Sequence, residues 1–343
     1  MPERYSRAAW PAAAAVVLLA LGMVWSLATT LHAGRTMSLT SPYVLAPAAL
    51  LVGVVGGTLL ASRAASPWLS GCLLGAAVVL TFGVPFTDWP RREPLGYLNA
   101  NAALAVQLLG LCGLALLSVR PGRRWPLVAA SGLALVEMAL NRSAGALFVG
   151  VPLAVTIGLV LWRPPRRRWW VVPLGSATMG AGAIVVVCLA SVDAWPTLAT
   201  RAFDPVRRQL WRDADALWHA HPLAGGGAGS FVAASPTAND PDTPAAHSSV
   251  LQIGAETGWI GVGLFAAVCL AGLLWAARGR PSFAVVGAAA WTGLIMQSLV
   301  DYVLEFVPVA VAAGLVLGWA AAGRGSEEFD VPEAEDPVAG RGG

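Results

Sequence analysis

The sequence has no lysine and carries little charge of any kind. Only 12% of its 343 residues are Asp, Glu, Lys or Arg, and every basic residue is an arginine. A soluble globular domain has about 25% charged residues, so the composition excludes that class. With 57% hydrophobic residues and a mean hydropathy of +0.66, the chain is predicted to be a polytopic membrane protein.

Cysteine is also scarce, and its spacing shows no pairing. The four cysteines all lie inside apolar runs, at Cys72, Cys112, Cys188 and Cys269. This pattern indicates neither a disulfide framework nor a zinc site, so the chain is expected to need no metal and no cofactor.

Ten apolar runs approach the length of about 20 residues that a membrane-spanning helix requires. They cover residues 9–31, 43–61, 67–86, 96–118, 126–140, 144–162, 171–190, 250–276, 283–300 and 303–322. The chain is therefore predicted to be all-α, a transmembrane helical bundle with about ten spans. It divides into an N-terminal bundle of about seven helices (1–190), a long loop (191–249), about three C-terminal helices (250–322) and an acidic tail (323–343) that is predicted to be disordered.

The distribution of arginine predicts the orientation. Arginines concentrate in alternate connections, at Arg63, Arg120, Arg123, Arg124, Arg163, Arg166, Arg167, Arg168, Arg278 and Arg280. Basic connections face the cytoplasm, so both termini are predicted to be cytoplasmic and the loop 191–249 extracytoplasmic.

The long loop contains an amphipathic helix pattern. Apolar residues recur at spacings of three and four, at Phe203, Val206, Leu210, Trp211, Ala214, Leu217 and Trp218. The two tryptophans favour a helix in the lipid headgroup layer. Arg208 and Arg212 share the opposite face and are candidates for binding an anionic headgroup. Solvation or pairing with Asp215 is the usual explanation on a surface helix, but the nearby His247 favours a function for Arg208.

A glycine run and a histidine follow that helix. Gly225 and Gly227 belong to a run that could present backbone N–H groups to an oxyanion, but glycines in a loop more often form a turn. His247 directly precedes an apolar run and is suited to general-base catalysis near neutral pH. Gln252 and Glu256 follow at i+5 and i+9, near one helix face, where a carboxylate could orient the imidazole.

Several charged residues lie at or within apolar runs, where they require a partner or a function. Arg142 separates two runs, and Asp301 and Glu305 lie where the last two runs meet. Glu137 is deeper and is predicted to form an internal ion pair. Charges at helix ends are the alternative explanation for the other three.

Five segments within residues 96–318 resemble, in order, the O-antigen ligase and O-antigen polymerase family of bacterial membrane glycosyltransferases. Asn141 stands where that family has serine, and Ser248 where it has asparagine. The segments are Gly96 with Asn99 and Asn101; Asn141-Arg142-Ser143-Ala144-Gly145; Arg208-Gln209-Leu210-Trp211 with the loop from Pro222 to Phe231; His247 to Gly261; and Ser298 to Asp301 followed by Pro308.

The resemblance implies a GT-C-like, all-helical enzyme of the cytoplasmic membrane. Its expected reaction transfers a glycan from a polyprenyl-diphosphate carrier, such as undecaprenyl diphosphate, to the hydroxyl of a glycan or lipid acceptor in cell-surface polysaccharide assembly. The expected catalytic residues are His247, Arg142 and Arg208. The expected substrate-binding residues are Arg212, Arg92, Asn99, Asn101, Gly225, Gly227, Gln252, Glu256 and Asp301.

The chemistry of these residue types agrees with that reaction. Cleaving the bond between a sugar C1 and a phosphate develops negative charge on the leaving diphosphate, which arginines bind through two parallel hydrogen bonds. Attack by an acceptor oxygen that His247 deprotonates would invert the anomeric centre, and no metal is expected. A transporter or flippase of lipid-linked sugars is the alternative, but no internal repeat typical of such folds is present. A non-catalytic scaffold or a peptidoglycan polymerase explains the pattern less well.

Overall fold

The structure, a computed structural model, describes residues 3–64, 66–83, 93–239 and 243–323. Arg92 and the tail from residue 324 lie outside the described residues. Within them the chain forms α-helices and short 3-10 turns, without a strand. The α-helices are α1 (Glu3–His32), α2 (Pro42–Ala61), α3 (Pro67–Phe82), α4 (Leu98–Ser118), α5 (Trp125–Leu140), α6 (Ala144–Trp162), α7 (Val171–Ser191), α8 (Thr197–Ala202), α9 (Pro205–Ala220), α10 (Ser230–Ala234), α11 (Ser249–Ala276), α12 (Pro281–Ser298) and α13 (Val307–Ala322).

The long helices coincide with the apolar runs of the sequence. Six of the described helices are long and apolar enough to cross a membrane, namely the part Ala14–His32 of α1 together with α2, α4, α6, α7 and α11. Helices α3, α5 and α13 are shorter but also apolar. The prediction of an all-helical membrane bundle is confirmed, whereas the count of ten spans stays a prediction.

Helix α4 forms the centre of the bundle. It is apolar all round, and most of its residues are buried, from Ala100 to Ser118. A helix without a polar face is stable only when other helices surround it. Helices α3, α5, α6, α12 and α13 pack around it, so the residues at the beginning of α4 lie inside the bundle.

Helices α2 and α13 pack through their glycines. Gly53 and Gly57 of α2 face Gly314 and Gly318 of α13, and a Cβ atom on Gly53 would lie 2.2 Å from the carbonyl oxygen of Val311. Glycines four residues apart let two backbones touch, which is a common contact between membrane helices. This contact places the beginning of α13 beside that of α2.

Because consecutive long helices run in opposite directions, the bundle has two ends. Helices α2, α4, α6, α11 and α13 begin at the end that carries α8 to α10, which we call the loop end. The arginine-rich connections lie at the opposite end, where Arg168 Nη1 donates to the carbonyl of Gly279 at 2.7 Å and joins two of them. The arginine-rich connections therefore share one end of the bundle, as the predicted orientation in a membrane requires. The orientation itself remains a prediction.

Helix α9 is the amphipathic helix that the sequence predicts. Its N-cap is Asp204, whose carboxylate accepts from the backbone N–H groups of Val206 and Arg207. Its apolar face packs on α7 and α11, and Trp211 and Trp218 are 0% and 4% exposed. The protein itself therefore buries the apolar stripe, and the expectation that α9 lies in the headgroup layer stays a prediction.

Helix α11 is kinked at Gly258, which has φ +67°. The glycine run packs against this kink: the N–H groups of Gly226 and Gly227 donate to the carbonyls of Ala255 and Glu256, both at 2.9 Å. A kink frees carbonyls that must find donors inside a membrane protein. The glycine loop supplies them and fixes the loop end of α11.

Candidate functional site

The candidate site surrounds the carboxylate of Asp301 at the loop end. Asp301 lies between α12 and α13 and is 3% exposed. The backbone N–H of Tyr302 donates to its Oδ1 at 2.8 Å. A buried carboxylate needs such donors and a positive charge to remain ionised.

Two residues from the beginning of α4 provide further donors. The hydroxyl of Tyr97 lies 2.9 and 3.0 Å from the two oxygens of Asp301. Asn99 Nδ2 donates to Asp301 Oδ2 at 2.6 Å and to the Tyr97 oxygen at 3.0 Å. Burial and the Asp301 carboxylate raise the pKa of Tyr97, so its hydroxyl remains protonated and donates to Asp301.

His247 is held in a strained backbone conformation beside this carboxylate. Its φ is +51°, which is uncommon for a residue other than glycine and often marks a functional position. The indole N–H of Trp211 donates to the His247 carbonyl at 3.4 Å. Ser248 then caps α11 by accepting from the Leu251 N–H at 3.4 Å, so the family's asparagine position holds an N-cap here.

The two ring nitrogens of His247 have different surroundings. Nδ1 lies 3.5 Å from Asp301 Oδ1 and 3.4 Å from the Tyr97 oxygen. A carboxylate on that side favours the tautomer with the proton on Nδ1. Nε2 is buried and has no hydrogen-bond partner, so it carries a lone pair that can accept a proton.

Arg207 of α9 supplies the positive charge. Its Nη2 lies 3.3 Å from Asp301 Oδ2 and 3.5 Å from His247 Nδ1. Its side chain is 19% exposed, compared with 4% for that of Asp301. One N–H bond to Asp301 leaves the other guanidinium donors available to an anion at the mouth of the site.

Aromatic rings form one wall of the site. Tyr302 stacks on Tyr97 with ring centroids 4.7 Å apart and meets the His247 ring edge-on, also at 4.7 Å. Phe306 stacks on Tyr97 at 5.8 Å. These contacts fix the plane of the imidazole, so Nε2 has a defined direction.

Arg208 and Arg212, predicted to hold the diphosphate, point elsewhere. Both donate to the backbone carbonyl of Asp193, and Arg212 also lies 3.7 Å from the Asp193 carboxylate. They join α9 to the end of α7. Neither has a described contact with His247 or Asp301, whereas Arg207 contacts both.

The glycines and Glu256 also differ from their predicted roles. The N–H groups of Gly225 and Gly227 donate to the carbonyls of His221 and Glu256, so they are not open to an oxyanion. Glu256 Oε1 accepts from the Phe231 N–H at 3.2 Å. Asp301, rather than Glu256, is therefore the carboxylate that faces His247.

Asn101 and Gln252 stabilise loops next to the site. Asn101 accepts from the Leu95 N–H at 3.1 Å and donates to the Glu93 carbonyl at 2.7 Å. Gln252 Oε1 accepts from the Ala246 N–H at 2.7 Å. Both act on the backbone just before Tyr97 and His247, and this places them around the site rather than in it.

Arg142 lies at the loop end between α5 and α6, is exposed and has φ +51°. Nearby, Glu137 is 1% exposed, and its Oε1 accepts from Asn141 Nδ2 at 2.7 Å. Asn141 is thus a hydrogen-bond partner of the Glu137 carboxyl. Arg92, which the sequence also suggested for substrate binding, lies outside the described residues.

Asp213 and Asp215 of α9 are two residues apart, yet they have different partners. Asp213 accepts from Gln209 at 2.7 Å and from Ser235 at 2.5 Å. Asp215 lies 3.4 Å from His219 Nδ1.

Across the described part of the chain, no group of three or more His, Cys, Asp or Glu side chains is arranged to hold a metal ion.

The described chain thus brings together His247, Asn99 and Asp301 from the predicted set and adds Tyr97, Arg207 and Tyr302. The comparisons add no relative: no family model matches the sequence, and no curated protein matches it. The resemblance to O-antigen ligases and polymerases therefore rests on the five sequence segments alone.

Proposed function

We propose that the chain is a membrane glycosyltransferase that moves a glycan from a polyprenyl-diphosphate carrier to an acceptor hydroxyl. The observation that carries this proposal is the pairing of His247 with Asp301, which leaves Nε2 of the buried imidazole without a partner. Such a pair is the usual arrangement of a general base and its orienting carboxylate.

In the proposed reaction, Nε2 of His247 accepts the proton of the acceptor hydroxyl. The acceptor oxygen attacks C1 of the donor sugar, and the bond between C1 and the diphosphate oxygen breaks with its electron pair on the leaving group. Attack from the face opposite to the diphosphate inverts the anomeric centre. Asp301 stabilises the imidazolium that forms, since it lies 3.5 Å from Nδ1.

Arg207 is the residue that we assign to the leaving diphosphate. It is the arginine in contact with both the carboxylate and the imidazole, and its exposed part faces the mouth of the site. A planar guanidinium binds phosphate oxygens in pairs and stays charged at every relevant pH. Arg142 at the same end of the bundle is a second candidate for this contact.

The setting supports a lipid-linked donor. The site lies at the loop end of a helical membrane bundle, where a polyprenyl chain can remain in the bilayer while its diphosphate reaches the arginines. The arginine-rich connections lie at the other end, and under the positive-inside rule this supports a site on the outer face of the bacterial cytoplasmic membrane. Both termini are then cytoplasmic.

The test is transfer by the purified, reconstituted protein from a polyprenyl-diphosphate oligosaccharide, with products separated on a gel. Wild type is compared with His247→Ala and with the control His219→Ala, whose imidazole side chain is 76% exposed. We expect transfer in wild type and control, and a loss in His247→Ala. A ladder of products would identify a polymerase and a single shift a ligase. Movement of the donor lipid across the bilayer without transfer would contradict the proposal and identify a transporter.

A further inference from the structure

A cleft of about 190 Å³ lies between α1, α2, α11, α12 and α13. Along α11 its wall extends from Ser249 at the loop end to Cys269, which is a rise of about 30 Å at 1.5 Å per residue. Most of the wall consists of aliphatic and aromatic side chains, such as Leu50, Leu264 and Phe265. The cleft has the length of a lipid chain and lies parallel to the helices.

The polar residues of the cleft gather at its loop end. Tyr43, Gln252, Tyr302 and Glu305 line it there. The Tyr43 hydroxyl is buried beside the Glu256 carboxyl, which is its hydrogen-bond partner. Its oxygen keeps a lone pair that can accept from the hydroxyl of a headgroup.

The charge at this end selects the kind of headgroup. None of the described residues that line the cleft is basic, and Glu305 lies in the wall with Glu256 next to Tyr43. A phosphate headgroup at this end would be buried without a positive partner, whereas a carboxyl group binds hydroxyls in either protonation state. Burial, together with the Glu256 and Asp301 carboxyls, raises the pKa of Glu305 to about 8, so it can also donate near neutral pH.

We propose that this cleft binds a neutral lipid, with its hydrocarbon chain along α11 and a hydroxyl headgroup at Tyr43 and Glu305. Tyr302 separates this headgroup from the candidate site, because the same ring lines the cleft and contacts His247. The lipid is therefore distinct from the anionic donor and lies beside the candidate site rather than in it. Its binding does not depend on the proposed function.

The test uses two photoactivatable lipids with the same diazirine chain, a diacylglycerol and a phosphatidic acid. The purified full chain in nanodiscs is irradiated with each, and the labelled peptides are identified by mass spectrometry. We expect saturable labelling of α2 and α11 by the diacylglycerol and a lower, unsaturable signal from the phosphatidic acid. Stronger labelling of the cleft by the phosphatidic acid, or equal labelling by both, would overturn the proposal.

Two variants locate the ligand. Gly22→Phe fills the cleft, because Gly22 lines it and has no atom within 4 Å of its Cβ direction. The control is Gly71→Phe in α3, which is equally open and outside the cleft. We expect labelling to disappear in the first variant and persist in the second. Tyr43→Phe should weaken labelling about fivefold, which is the loss of one hydrogen bond.

The outcome is separate from that of the transfer assay. His247→Ala leaves the cleft intact, so we expect it to be labelled as wild type. Labelling of the wild-type protein without any transfer by it would refute the proposed enzyme and leave the lipid site standing. Transfer in wild type, with labelling that Gly22→Phe does not change, would refute the lipid site alone.

Discussion

Nδ1 of His247 lies 3.5 Å from Oδ1 of Asp301, although His247 precedes α11 and Asp301 lies between α12 and α13. The carboxylate also binds Tyr97, Asn99 and Arg207. One acidic group therefore organises side chains from α4, α9 and the beginning of α11. Each expected outcome below depends on this arrangement or on the helices that hold it.

His247 and Asp301 are expected to act as one unit. His247→Ala should lower the transfer rate about 10²–10⁴-fold, the usual contribution of a general base. Asp301→Asn should also lower the rate, and the double variant should be little worse than His247→Ala, because Asp301 acts through the imidazole. Initial rates of the four proteins in proteoliposomes check this. If the fold-losses in transfer rate of the two single variants multiplied in the double variant, Asp301 would have a role separate from that of His247. The matched control is Asp215→Asn.

Arg207 and Arg208 are expected to differ. Arg207→Lys keeps the charge but loses the planar fork, so transfer should fall about 10²-fold, as for removal of one donor to the transition state. Arg208→Lys should have nearly wild-type activity, because Arg208 bonds the Asp193 carbonyl. Measurement of kcat and KM for the donor compares the two. The reverse order of effects would return the diphosphate site to Arg208.

The kink of α11 should be sensitive to a single methyl group. Gly258 and Gly34 have nearly equal φ angles, +67° and +68°. A Cβ on Gly258 would lie 2.3 Å from the Leu223 carbonyl carbon, whereas Gly34 has open space. Gly34→Ala should cost only the backbone strain of about 1–2 kcal/mol, and Gly258→Ala considerably more. Thermal unfolding in detergent measures both, and equal losses of Tm would contradict the packing described here.

Glu305 should make the stability of the protein depend on pH. Its pKa is about 8 in the fold and about 4.3 in an unfolded chain, so between these values the folded state holds one more proton. Stability is therefore complete below about pH 4.3 and decreases by up to about 1.4 kcal/mol per pH unit as the pH rises to 8. Glu305→Gln should flatten this decrease, whereas the exposed Glu93→Gln should not. Tm measured from pH 5 to pH 8 tests this expectation. Identical slopes of Tm against pH for wild type and Glu305→Gln would contradict it.

The sequence predicts the bundle well because the information is local. Every long helix is an apolar run between charged or proline-containing connections, and such runs need no knowledge of distant contacts. The amphipathic helix α9 is equally local, since its period is visible in Leu210, Trp211, Ala214 and Trp218. The surroundings of its stripe are not local, so the sequence could not show that the stripe packs against α7 and α11.

The site was predicted only in part because its contacts join distant segments. His247, Asn99 and Asp301 were identified as candidates, but the carboxylate next to the imidazole was expected at Glu256, from spacing along one helix. Arg207 was missed, although a signal existed: it precedes the buried Trp211 by four residues and therefore shares its face. Tyr97 and Tyr302 give no such signal, because aromatic residues are common at the ends of membrane helices.

The bond between Tyr97 and Asp301 joins residues that are 204 positions apart. A ribosome must therefore complete α12 before the carboxylate can reach the first half of the bundle. Nascent chains that end between His247 and Asp301 contain the histidine and Arg207 but lack the carboxylate that lies against both. The proposed transfer activity would accordingly require α12 to be complete.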